Sequence, residues 1–230
     1  MAPMIRDAIA DATSSNLHTA ALAPPPSGTY ALIQARRITK RYGRTTVLSE
    51  VDVSISAGQV VGIVGENGSG KSTLLQILAG IMSPSSGSVE RRCSIGYCPQ
   101  DALVFDALTV TENLRYFAAA AGLKGSMFEE RAEELLAALA LKDYRHRMVA
   151  QLSGGSKQKL NLVVALLEDP AVLLLDEPCS GLDWDTYLSF WELAKRVRDA
   201  GKTVVIVSHL IHERSHFDVL LTLRNGAISQ

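Results

Sequence analysis

Hydrophobic and polar positions change period several times along this chain, and each change marks an element. In TVLSEVDVSI (46–55), Val51, Val53 and Ile55 alternate with Asp52 and Ser54, which predicts a strand with one buried and one solvated face, and ALIQARRI (31–38) predicts another strand before it. QVVGIVG (59–65), AVLLLDE (171–177) and TVVIVSH (203–209) are instead short continuous apolar runs. Strands of that kind are buried on both faces, as in a parallel sheet. Their C-terminal ends carry glycine, acidic or polar residues, at the edge where open α/β sheets place their sites. STLLQILAG (72–80) predicts a helix closed by Gly80. From about Asp101 to Leu166 helical patterns replace strands: in EERAEELLAALAL (129–141), Ala132, Leu135, Leu136 and Leu139 share one helix face. The predicted architecture is α/β, with a mostly parallel sheet, a small antiparallel β lobe and a helical subdomain inserted at about 101–166.

Composition narrows the function without naming it. With 230 residues and a formal net charge of -1, the chain is long enough for a sizeable core and lacks the bulk positive charge of a nucleic-acid binder, so no nucleic-acid partner is expected. Cys93, Cys98 and Cys179 are an odd number with no CxxC pair, which fits a reducing compartment rather than a disulfide framework or a zinc ribbon. Cys93 and Cys98 bracket a predicted strand pair and are expected to be small core residues. No run reaches the length and apolarity of a membrane span, and Asp7 and Asp11 interrupt any secretory signal, so a cytoplasmic location is expected. Four of the eight prolines fall within residues 1–29, which reads as a flexible N-terminal tail in which 4–12 could form a short Ala-rich helix.

The chemistry begins at Gly65-Glu66-Asn67-Gly68-Ser69-Gly70-Lys71-Ser72, followed by Thr73. This matches GxxxxGK[ST] between a strand and a helix, the context the motif requires. Its glycines let backbone N–H groups turn inward around phosphate oxygens, Lys71 adds a point charge, and the helix N-terminus favours the anion. Ser72 is placed to hold Mg²⁺. Asp176 and Glu177 end an apolar strand, so Asp176 is the candidate metal ligand and Glu177 the candidate general base for an attacking water.

The residues between these motifs resemble those of ABC ATPases. Leu152-Ser153-Gly154-Gly155-Ser156-Lys157-Gln158 resembles the LSGGQ signature of that family and opens a helix. The resemblance covers about Tyr30 to Gln230, taken as one ABC ATPase domain, and implies ATP and Mg²⁺ as ligands. It further implies that Tyr42, in KRYG, stacks on adenine, although the residues alone also allow an edge-strand aromatic. Gln100, in YCPQD, matches the glutamine that links the metal and the attacking water to the helical arm. Ser180-Gly181-Leu182-Asp183 looks like the loop whose aspartate crosses to the opposite site, and His209 like the histidine that contacts the γ-phosphate. Ser153, Gly154 and Gly155 would complete the site of a second subunit. Ser156 at the fifth signature position, Cys179 and Trp184 depart from the usual pattern. LSGGSKQKL together with ALTVTENLRYFAAAAGL (107–123) is similar to the ATPase subunits of exporters that move drugs, polysaccharides, sodium or lipids.

What the resemblance implies is a motor subunit that dimerises head to tail around two ATP and drives a separate membrane permease, docked near Asp101 to Leu108. It would sit on the cytoplasmic face of the membrane. The alternative is a soluble ABC ATPase of iron–sulfur cluster biogenesis. A zinc site from His209, His212 and His216 is set aside because Glu213 and Arg214 read as a solvated helix. The basic run Arg36, Arg37, Lys40, Arg41 and Arg44 lacks interleaved aromatics and is expected to face solvent or the nucleotide phosphates.

Overall fold

The computed structural model describes residues 31–123, 125–209 and 211–229; Tyr30, the tail proposed for 1–29 and the short helix proposed within it lie outside the described residues. Nine strands and five α-helices follow in the described chain: β1 (Ile33–Tyr42), β2 (Thr45–Ile55), β3 (Val60–Val64), α1 (Lys71–Ala79), β4 (Ser86–Arg91), β5 (Ile95–Cys98), α2 (Val110–Ala120), α3 (Ser126–Ala138), α4 (Gly154–Leu166), β6 (Val172–Asp176), α5 (Trp184–Asp199), β7 (Thr203–Ser208), β8 (Val219–Arg224) and β9 (Ala227–Ser229). They form two sheets. The larger has the order β5-β6-β7-β3-β8-β9, parallel except for β9 against β8, and the smaller is antiparallel with the order β2-β1-β4.

The three apolar runs are the centre of the parallel sheet, and every residue of β3, β6 and β7 is buried. Period two still operates inside them: Leu173, Leu175, Val204 and Ile206 join one core, while Val172, Leu174, Val205 and Val207 join the other. On the second face α1 lies between the parallel sheet and the antiparallel lobe, so Leu74, Leu75, Ile77 and Leu78 are all fully buried. A helix covered on both sides is apolar over most of its circumference. In β2 the alternation is as predicted, with Val51, Val53 and Ile55 inside and Asp52 and Ser54 outside.

The other face of the sheet packs on α5 and on α2–α4. Helix α2 starts with a capping box, Thr109 accepting from the Glu112 N–H and Glu112 accepting from the Thr109 N–H. In α3 and just beyond it, Ala132, Leu135, Leu136 and Leu139 are buried, the face that the spacing predicts. One expectation is corrected: between Cys93 and Cys98 there is a single strand, β5, because β4 ends at Arg91 and belongs to the other sheet. Cys98 ends β5 fully buried, whereas Cys93 is half-buried in the link.

Arg91 ties the two sheets' contents together. Its guanidinium donates from Nε to the Leu78 carbonyl at 2.8 Å and from Nη2 to that of Ile77, two of the last carbonyls of α1, the second of which also accepts the Gly80 N–H at 3.1 Å. Arg91→Met keeps the aliphatic stem but leaves both acceptors without it. We expect a loss of about 1–3 kcal/mol of unfolding free energy in urea titration.

Candidate active site

Parallel pairing fixes where the site lies. In the sheet β7 stands between β6 and β3, with Asp176 paired to Val207 and Val64 paired to Ser208, so the three strands end at the same level. The loop 65–70 leaves β3, Glu177 follows β6 and His209 follows β7, all at one edge. This is the carboxyl edge at which α/β sheets bind ligands.

Close packing dictates two of the loop's glycines, Gly65 and Gly70. A Cβ on Gly65 would stand 2.2 Å from the Leu223 carbonyl oxygen. Gly70 has φ +101°, and a Cβ there would meet Leu48 at 2.9 Å and the Val47 carbonyl at 3.0 Å. Gly70 is the N-cap of α1 and supplies no side chain, and no acidic residue stands in the first turn. The N–H groups of that turn are therefore left for an external acceptor, with the helix dipole favouring an anion. Lys71 is only 5% exposed, its ammonium held by the carbonyls of Gly65 at 2.8 Å and Glu66 at 2.9 Å. The cation is thus fixed inside the curl of the loop.

Ser72 donates to Asp176 Oδ1 at 3.1 Å, bringing the start of α1 to the end of β6. Asp176 is 3% exposed. Burial pushes its carboxyl above the ordinary carboxylate range and the neighbouring Glu177 charge adds to this, while the Ser72 hydroxyl and the Lys71 ammonium oppose it. A hydroxyl and a desolvated carboxylate are hard oxygen donors, a pair that suits Mg²⁺. Glu177 has φ +47°, a left-handed conformation that costs a non-glycine residue on the order of 1–3 kcal/mol. Its N–H donates to the Val207 carbonyl at 3.0 Å, and its Oε2 lies 3.1 Å from His209 Nδ1. The strained turn aims the carboxylate across the strand ends towards the histidine.

A cleft of about 510 Å³ opens here, lined by Val47, Asn67, Gly68, Gly70, Lys71, Ser72, Thr73, Gln100, Glu177 and His209. Glu66 and Ser69 line an adjoining cavity together with Thr45, Thr46 and Val47. Val47, which no motif marks, also lines the cleft from near the start of β2, where it packs on Gly70. The cleft thus gathers a cation, hard oxygen donors, a carboxylate beside a histidine and an uncapped helix start. Such a set can hold a phosphorylated ligand and a divalent ion and polarise a water.

The family model for ABC transporters matches residues 48–180, more than half of the chain. This chain belongs to the ABC transporter family. It is 34% identical over 215 residues to the Nod factor export ATP-binding protein I of Cupriavidus pinatubonensis, covering 88% of this chain and 66% of that protein. It is 32% identical over 208 residues to ABC transporter G family member 20 of Dictyostelium discoideum, covering 85% of this chain and 28% of that one. The chain therefore spans two thirds or less of these relatives. A solved structure described as the ATP binding subunit of an ABC transporter superposes with a TM-score of 0.80 at 27% identity, covering 86% of this chain and 88% of that one. The fold is that of the P-loop ABC ATPases.

Several residues singled out from the family pattern stand outside the cleft of this ABC chain. Tyr42 is exposed at the end of β1, opposite Thr45, its hydroxyl donating to Met82 Sδ at 3.1 Å and the Lys40 ammonium 5.4 Å from its ring centre. Arg36, Arg37, Arg41 and Arg44 are exposed beside it, and Arg37 pairs with Glu50. Ser153 caps α4, accepting from the Ser156 N–H at 3.2 Å, and Gly154 and Gly155 form the first turn. Asp183 caps α5, accepting from the N–H and the hydroxyl of Thr186 at 2.9 Å each. Those two bonds hold its carboxyl below the usual range. Around His209 the expected solvated helix is a 3-10 turn, Ile211–His216; the side chain of His212 is outside the described ones, and His216 stacks on Trp191 with ring centres 4.3 Å apart.

The raised Asp176 carboxyl gives a signed pH dependence. An acid whose folded pKa exceeds its unfolded value disfavours folding once it ionises, so its cost is absent below the unfolded pKa and grows as pH rises through the window up to the folded pKa. Asp176→Asn should raise the urea midpoint at pH 7.5, and the advantage over the native chain should shrink as pH is lowered towards 4.

Proposed function

We propose that this chain is the ATP-binding and ATP-hydrolysing motor subunit of an ABC transporter of the exporter branch, closing head to tail with a second ATPase subunit and driving a separate permease. The observation that carries the reading is the convergence of Lys71, Ser72, Asp176, Glu177 and His209 at the ends of three adjacent parallel strands. Residues 30–230 then form one ATPase domain, with a helical subdomain at about 101–166.

In this reading the N–H groups of Gly68 to Thr73 and the Lys71 ammonium hold the β- and γ-phosphates. Ser72, Asp176 and Gln100 would hold Mg²⁺, which when bound would supply charge withdrawal from the phosphate oxygens. Glu177 accepts a proton from the attacking water, whose oxygen forms a bond to the γ-phosphorus as the bond to the β–γ bridging oxygen breaks and ADP departs. His209 orients Glu177 and contacts the γ-phosphate. Tyr42 stacks on the adenine once its side chain turns over the cleft. Ser153, Gly154, Gly155 and Asp183 serve the site of the partner subunit, consistent with their absence from the lining of this chain's own cleft.

The permease would dock on the helical side, where Leu103, Phe105 and Tyr116 are 49%, 42% and 54% exposed and Phe105 packs edge-on against Tyr116 with ring centres 4.8 Å apart. No helix among the described residues is long and apolar enough to cross a membrane. Export as the direction draws on the relative named for Nod factor export. The cluster-biogenesis alternative draws no support from relatives named as transporter proteins.

Lys71→Ala should abolish ATP binding in equilibrium titration. Glu177→Gln should bind ATP, lose about 10²-fold or more in turnover and accumulate as an ATP-dependent dimer in light scattering. Wild-type turnover in Glu177→Gln would remove the base assignment. Tyr42→Ala should weaken adenine nucleotides by about 1–3 kcal/mol. The decisive experiment extracts membranes of the source cell in mild detergent with ATP and identifies what accompanies tagged Glu177→Gln: a stoichiometric polytopic protein supports the motor reading, and soluble partners alone overturn it.

A further inference from the structure

The segment that carries Gln100 is held at both ends by one buried side chain. Asn161, about two turns into α4 and 2% exposed, donates from Nδ2 to the Pro99 carbonyl at 3.1 Å and to Cys98 Sγ at 3.2 Å, and accepts the Leu103 N–H on Oδ1 at 3.2 Å. Pro99 and Leu103 are the feet of the arch 99–103, and Gln100 stands on it facing the cleft. Burial and the Asp176 charge push the Cys98 thiol up to about 12, so Nδ2 meets a neutral sulfur. A second strap lies one turn back in α4, where the Lys157 ammonium pairs with Asp106 at 2.6 Å. From α2, Asn113, fully buried, grips Phe105 through its N–H at 2.7 Å and its carbonyl at 3.0 Å.

The backbone of the arch has little else to hold it. Residues 99–103 belong to no helix or strand, and Gln100 and Asp101 are exposed. An unpaired amide would be costly at the Asn161 position, and the cost is met only while the arch keeps its present shape. Displacement of α4 along its axis therefore has to carry Pro99 and Leu103 with it or break three hydrogen bonds to one amide. The helix that Ser153 caps and the loop bearing Gln100 are thus tied together through one buried amide.

We propose that Asn161 is a positioning residue that couples α4, and with it the turn Ser153–Ser156, to Gln100 and to the exposed Leu103 beside it. Turnover then depends on where α4 sits, because α4 sets the position of the Gln100 amide at the cleft. The coupling rests on the ATPase reading above, and the experiment separates the two.

Asn161→Leu matches the side chain in size and removes all three hydrogen bonds. ATP affinity should stay within about twofold of wild type, since Asn161 does not touch the cleft, while turnover falls about 10–100-fold, the scale of a misplaced catalytic group. Combined with Gln100→Ala it should be no slower than Gln100→Ala alone, since both remove the same contribution. Amide exchange at Leu103 should accelerate with β3 and β7 unchanged, a readout that needs no activity. If Asn161→Leu does not fold, Asn161→Asp takes its place, keeping the acceptor for Leu103 and losing the donor to Pro99, with the same turnover loss and non-additivity expected. Turnover within about twofold of wild type, losses that multiply with Gln100→Ala, or unchanged exchange at Leu103 in Asn161→Leu would each overturn the coupling. Wild-type protein without ATP turnover would overturn the ATPase reading itself and the positioning role with it.

Discussion

Everything chemical in this molecule depends on three buried parallel strands ending in register. Because β3, β6 and β7 are covered on both faces, none can slip without moving apolar side chains out of a core, and a slip of one residue would exchange the faces altogether. Their ends are therefore fixed by the burial of Val61, Leu174, Val205 and their neighbours. The phosphate loop, the acidic pair and the histidine inherit that precision. With adjacent strands about 4.8 Å apart, the ends of β3 and β6 stand roughly 10 Å from each other, a gap that the start of α1 closes through Ser72.

The same edge is where local preferences are overridden. A carboxyl is buried at Asp176, a glutamate occupies a left-handed conformation at Glu177, and a lysine is nearly enclosed at Lys71. Each is unfavourable for folding alone, and the three neighbours offset one another only in part: Lys71 and Ser72 lower what burial and Glu177 raise at Asp176. Concentration of such conflicts at one place is what a functional site imposes on an otherwise consistent fold. A divalent ion between Ser72 and Asp176 would relieve most of the electrostatic part, so ligand binding and stability are coupled at this edge.

What the sequence revealed follows the same division. The continuous apolar runs and the period-two stretch in β2 were legible because burial on two faces or one leaves a direct trace in residue order. β4 was not: SGSVER is almost wholly exposed on the edge of the small sheet, so no hydrophobic period marks it. Lys71, Ser72, Asp176 and Glu177 could be found from motif spacing, and the cleft brings the first two together with Glu177, His209 and Gln100. Tyr42 and the 153–155 turn could be named but not placed: they stand outside the lining of the cleft, and motif spacing carries no distance to it. Asn161 was invisible for a different reason: an asparagine within LNLVV has no pattern of its own, and only the fold shows that its amide meets Pro99 and Leu103.

That invisibility bears on how the proposed motor would work. Gln100 stands on the arch that follows β5, which is held to α4 by Asn161 and to α2 through Asn113 and Phe105. Leu103 and Phe105 on the same stretch are exposed apolar side chains. A force applied at Leu103 and Phe105 therefore reaches the cleft through Gln100 and the first turn of α4 through Asn161, while leaving β3, β6 and β7 where burial has fixed them. Rigid chemistry and a movable sensor are compatible in one domain because the strand ends are fixed by sheet pairing and burial, whereas the arch belongs to no strand or helix and is tied to α2 and α4 by side chains.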